Sequence, residues 1–155
     1  MKLFLLLLYV LSLDASAAAE DLEHRMATFL YQDQDYRQFV CGEQPGTIEE
    51  FRQRIEYHKE VLREHPLAVA YFVEPTSKAF NFYTGFFVVQ GDEMKPQFIY
   101  FGSGIGAHKT RKHKGFKVVI GTERTGPASS EFHTYEWNGT NYAKTATTTT
   151  STKPP

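Results

Sequence analysis

The hydrophobic rhythm of this chain changes near Pro66, and that change limits its fold more than any other feature. Before it, Ile48, Phe51, Ile55, His58 and Leu62 recur at spacings of three and four, the period of a helix with one apolar stripe. Thr47-Ile48-Glu49-Glu50 reads as a capping box, in which the Thr hydroxyl and the Glu carboxylate each satisfy an end amide. The spacing therefore predicts a helix from Thr47 to Pro66 that packs its stripe on a sheet. A shorter amphipathic helix is predicted over Glu20–Leu30, from Leu22, Met26, Phe29 and Leu30. After Pro66 the apolar segments become short and pleated: Leu67–Val73, Phe80–Val89, Gln97–Phe101, Phe116–Ile120, Phe132–Trp137 and Thr140–Lys144, each bounded by turn residues. The expected fold is α+β, with two N-terminal helices packed on a five- or six-stranded antiparallel β-meander.

The two ends of the chain differ from this middle. Lys2 followed by the apolar run Leu3–Leu13 and the small residues Ala15–Ala19 has the form of a signal peptide, and the run is short for a membrane span. From Thr145 to Pro155 the sequence is TATTTTSTKPP, which lacks apolar residues for a core. The expected organisation is a signal peptide over 1–19, one domain over 20–144 and a disordered Thr/Pro-rich tail over 145–155. Such a chain is expected to be secreted or periplasmic, with no transmembrane span after cleavage. Cys41 is the only cysteine, so no intrachain disulfide can form and the core alone must hold the fold. Thirteen Phe and nine Tyr supply that core with large side chains suited to pleated surfaces.

Asn138-Gly139 reads as a two-residue type I′ hairpin turn. In that register Trp137 opposes Thr140, Tyr135 opposes Tyr142, and His133, Tyr135, Trp137 and Tyr142 share one aromatic face that caps the core. The segment Tyr135-Glu136-Trp137-Asn138-Gly139-Thr140-Asn141-Tyr142 resembles the final hairpin, Tyr-x-Trp-Asn/Asp-Gly-x-x-Tyr, of a loosely defined group of uncharacterised exported bacterial proteins. The resemblance covers about half the chain, from Leu67 to Lys144. It implies a β-hairpin and no chemistry.

A net charge of −1 gives no global attraction to polyanions, so electrostatic recognition must come from a local patch. One exists. Ala107–Gly115 reads AHKTRKHKG and gathers His108, Lys109, Arg111, Lys112, His113 and Lys114, which is expected to form a solvated hairpin tip. Its chemistry suits an acidic protein face, an acidic glycan or a phosphate head group. No aromatics interleave with the cations, so nucleic acid is not an expected partner. His108 and His113, with His133 nearby at best, do not make a metal-ligand set, and neither a metal nor another cofactor is expected. Signatures of serine hydrolases, zinc proteases and P-loop enzymes are absent from the sequence. Two weaker arrangements remain: Cys41 with a histidine, and Glu131 with His133 on one strand face. The expected function is an exported binding or interaction module, inhibitor-like or envelope-associated. A small secreted or periplasmic hydrolase is the alternative.

Overall fold

The computed structural model describes residues 20–44 and 46–151. The leader expected over 1–19 and the last four residues of the expected tail lie outside them. Three helices open the described chain: α1 over 20–32, α2 over Gln34–Cys41 and α3 over Ile48–Arg52. Eight strands follow: β1 (Ile55–Arg63), β2 (Ala68–Pro75), β3 (Phe82–Gln90), β4 (Glu93–Gly102), β5 (Gly104–His113), β6 (Phe116–Gly126), β7 (Ser129–Trp137) and β8 (Tyr142–Ser151). They form two four-stranded antiparallel sheets in the orders β1-β2-β3-β4 and β5-β6-β7-β8. The fold is α+β as expected, but the single meander of five or six strands is two meanders. Among the described residues no helix is long and apolar enough to cross a membrane.

Alternation along the strands explains the layers. In β2, Tyr71 and Val73 point to the helices, whereas Ala68, Ala70 and Phe72 point to the second sheet. In β3, Phe87 faces the helices, and Phe86 and Val88 face the second sheet. The first sheet is thus covered on both sides. Met26, Ala27 and Leu30 of α1, Tyr36 of α2 and Phe51 of α3 build the helix-side core. The Tyr36 hydroxyl ties α2 down by donating to the Val73 carbonyl at 2.7 Å. Between the sheets the space is filled by rings: Phe72 on Phe86 (5.0 Å), Phe98 on Tyr135 (4.5 Å) and Phe116 on Trp137 (4.5 Å).

The capping box at Thr47 forms, with both reciprocal hydrogen bonds, but the helix it starts ends at Arg52. Ile55–Arg63, expected to continue that helix, is β1, paired with β2 from Ile55↔Pro75 to Arg63↔Ala68. The stripe is therefore split. Ile55 joins the helix-side core, Leu62 the inter-sheet core, and His58 lies half in solvent. Helix propensities differ by only a few tenths of a kcal/mol for such residues, so pairing with a buried neighbour strand decides the outcome. The change of rhythm thus falls at Arg54 and not at Pro66, which lies in the β1–β2 turn.

Three further corrections concern the second sheet. The charged segment expected as a hairpin tip is mostly strand β5, with only Lys114-Gly115 turning into β6. That turn, with φ of 49° and 81°, has the two positive angles of a type I′ hairpin. Asn138-Gly139 does not. Trp137 pairs with Tyr142 and Tyr135 with Lys144, leaving a four-residue loop Asn138–Asn141. Asn138 shapes it, because its side-chain oxygen accepts from the Thr140 and Asn141 amides at 2.8 and 3.0 Å. Finally, residues 145–151, expected to be disordered, form the outer part of β8 against β7. Threonine suits an exposed edge strand, and backbone pairing there needs no apolar side chains.

The chain passes between sheets at Gly102-Ser103-Gly104. Here the Ser103 amide and hydroxyl both donate to the Thr122 carbonyl, at 2.6 and 3.0 Å. A Cβ on Gly102 would lie 2.5 Å from that same oxygen, so only glycine fits the crossing. A second tie comes from the bulge in β4: Gln97 turns out of the ladder, and its side-chain oxygen accepts from the Tyr142 amide at 2.8 Å.

Candidate functional site: a basic hairpin and two carboxylate–imidazole clusters

The β5–β6 hairpin carries the charge singled out in the sequence. β5 bulges between Ala107 and Lys112, where it has more residues than the facing part of β6. His108 stabilises the arch through Nδ1, which accepts from the Thr110 and Arg111 amides at 3.2 and 3.0 Å. This histidine is thus a backbone support. Arg111 and His113 both reach Glu136, at 3.5 and 3.6 Å, and the Lys114 ammonium donates to the Asn138 carbonyl at 2.7 Å. Lys109 and Lys112 are exposed and make no side-chain hydrogen bond or ion pair among the described residues. Lys112 stands directly opposite Lys117, a like-charge cross-strand pair that disfavours the ladder. Lys117 was not singled out in the sequence, because it lies beyond the turn. Only the register of the hairpin brings it to the patch.

His133, Tyr135, Trp137 and Tyr142 do share one face, and it is the inner one. Trp137 and Tyr142 are buried with rings 5.5 Å apart, and the Tyr142 hydroxyl donates to the Lys117 carbonyl at 2.7 Å. Burial pushes the Tyr142 phenol up, which keeps it a neutral donor. Cys41 ends α2 and packs partly buried against the helix-side core. The clefts on the surface include one between α2 and the β2–β3 connection, lined by Phe39, Arg54, Thr76 and Lys78.

Glu131 and His133 are brought together as their alternation suggests, and a third residue joins them. His133 Nε2 lies 3.4 Å from Glu123 and 4.0 Å from Glu131, while Nδ1 lies 3.2 Å from the Thr147 hydroxyl. Glu123 is the cross-strand partner of Glu131. It escaped notice because only strand register reveals the pairing. His133 is 5% exposed, whereas both carboxylates remain about one-third open to solvent, at 35%.

A second set of the same composition, Glu56, His58 and Glu74, lies where β1 pairs with β2. Here a cation is already built in. The Lys78 ammonium sits 2.6 Å from Glu56 and 2.7 Å from Glu74. The hydrogen bond from Lys78 holds the Glu56 carboxyl below its ordinary value. Burial works against the Lys78 charge, but the bonds to Glu56 and Glu74 outweigh it and raise its pKa. No protein-family model, curated protein or solved structure matches this chain.

Proposed function

We propose that this chain is an exported binding module that docks an anionic partner on the basic β5–β6 hairpin. The observation that carries the reading is Lys112 facing Lys117, with Lys109 exposed on the same strand as Lys112 and no carboxylate reaching any of the three among the described residues. Uncompensated like charges on paired strands weaken a hairpin, and a partner's anions relieve that repulsion. The filled interior supports surface binding over carriage of a ligand inside, since stacked rings occupy the space between the sheets.

The partner chemistry is an array of carboxylates, sulfates or phosphates. Retention of the processed protein on heparin tests the idea, with poly-glutamate and phosphatidylserine vesicles separating glycan, protein and lipid sources. Replacing Lys109, Lys112 and Lys117 together by Ser is expected to weaken binding to the best of these about tenfold. The melting temperature should hold or rise, because the substitution also removes repulsion. Equal retention of the triple variant on all three supports would remove the hairpin as the contact.

A further inference from the structure

The two carboxylate–imidazole clusters differ in one respect that bears on chemistry. At Glu56, His58 and Glu74 the positive charge comes from Lys78. At Glu123, Glu131 and His133 no Lys or Arg reaches either carboxylate among the described residues. The imidazole is instead oriented from behind. In the tautomer that donates from Nδ1 to Thr147 Oγ1, the Nε2 lone pair faces the two carboxylates. Three electron-rich donors then converge on one point. An outer hydrogen bond on the remote nitrogen is the usual way a ligating histidine is fixed.

The spacing fits a cation. Two ligand atoms held at ~2.0–2.1 Å by a tetrahedral Zn2+ stand about 3.4 Å apart. The His133–Glu123 separation is 3.4 Å, and the three donor atoms all lie within 4.8 Å of one another. Both Glu side chains are partly exposed at this end of the sandwich, so an ion has a way in and the carboxylates can close on it.

A second observation, independent of the acidic pair, points to the same place. Tyr100 is 5% exposed and its hydroxyl has no hydrogen-bond partner. Its cross-strand neighbour Thr84 is fully buried with an unpartnered hydroxyl as well. Buried hydroxyls are normally bonded, so each of these exceptions is open to a polar guest. The Tyr100 phenol lies over Gly121, where a Cβ would come 2.9 Å from its oxygen. Gly121 is paired with His133 and precedes Glu123 by two positions on the same face. The centroids of the Tyr100 and His133 rings lie 6.0 Å apart, with the ring planes at 68°.

We propose that Glu123, Glu131 and His133 bind one first-row divalent cation, Zn2+ above all, whose remaining coordination position holds a water or small anion facing the Tyr100 hydroxyl. One imidazole and two carboxylates leave a tetrahedral ion one open position, and the imidazole favours Zn2+ over Ca2+. The ion clips β6 to β7 at the mouth of the inter-sheet space, in place of a lysine.

Calorimetric titration of Zn2+ into the processed chain, stripped with a chelator, is the direct test. One site is expected. Its affinity should fall about a hundredfold in E123Q/E131Q, and about tenfold in Y100F, which removes only the outer hydroxyl. His133 is buried, so its replacement risks the fold. The imidazole is therefore followed in the intact protein, where Co2+ should shift the ring resonances of His133 and leave those of His108 and His113 in place. The metal-free E123Q/E131Q protein should melt no lower than the parent. Absence of binding at millimolar Zn2+, undiminished affinity in E123Q/E131Q, tighter binding of Ca2+ than Zn2+, or Co2+ shifts confined to His108 and His113 would each overturn the assignment.

Discussion

Lys78 reaches from the connection after β2 to two carboxylates on neighbouring strands, Glu56 and Glu74, and covers the Phe82 ring at 5.5 Å. The linkage to pH follows from the two shifted groups. Glu56 is lowered from its ordinary 4.5, so its share of stability is complete above that pH and is lost as pH falls through the depressed value. Lys78 is raised from 10.5, so its share is complete below that pH and is lost as pH rises through the elevated value. The difference in Tm between the wild type and K78M is therefore expected to be level between the two ordinary values and to shrink on both sides. A difference that does not vary from pH 2 to pH 12 would mean that Lys78 acts through packing on Phe82 alone. None of this was legible in the sequence. Glu74 and Lys78 stand only four residues apart, but Glu56 was expected in a separate helix, and only the β1–β2 register brings it to them.

At the scale of elements, the legible parts were those whose signal is local. The Thr47 capping box uses four consecutive residues, and it formed. The six segments read as pleated after Pro66 all fall in or largely within strands β2, β3, β4, β6, β7 and β8. Strands β1 and β5 were missed for opposite reasons. The former is rich in helix formers, and the latter in charge, yet each gains ladder pairing from a neighbour. Turn chemistry misled in the same way. Asn-Gly is the favoured pair for a type I′ turn, but here the type I′ turn is Lys114-Gly115, with Lys114 at φ 49°. Asparagine tolerates that angle better than lysine. K114N is accordingly expected to stabilise the protein by about 0.5 kcal/mol in chemical denaturation, net of the exposed bond to Asn138. A loss of stability would show that this exposed bond, and not backbone conformation, governs the turn.

For the whole molecule, the first sheet is the shared wall of two cores, and its backbone couples them. Gly85 of β3 faces α1, where a Cβ would come 2.6 Å from Leu30 Cδ2. G85A therefore overpacks the helix side and is expected to cost about 1–3 kcal/mol. Trp137, the only tryptophan, sits in the other core and serves as a remote reporter. Its fluorescence and the far-UV circular dichroism should lose stability by the same amount in G85A, as a single cooperative unit requires. Separate midpoints would show two cores that melt apart. The layered arrangement itself was only half visible in the sequence. Short alternating strands indicated a sheet with one covered face, but a second sheet in place of solvent depends on the crossing at Gly102-Ser103-Gly104. There the amide and hydroxyl of one serine, both bonded to Thr122, fix the change of direction.

Every strand pairs with the one that precedes or follows it in the chain, in both sheets. Each rung can therefore be laid down by closing a short loop, and the entropy lost at every closure is small. Assembly of either meander is a sequence of neighbourly steps that can zip from any hairpin. The step expected to be slow is the meeting of the two leaves, hinged at a three-residue corner, when their aromatic faces must interleave and shed water together.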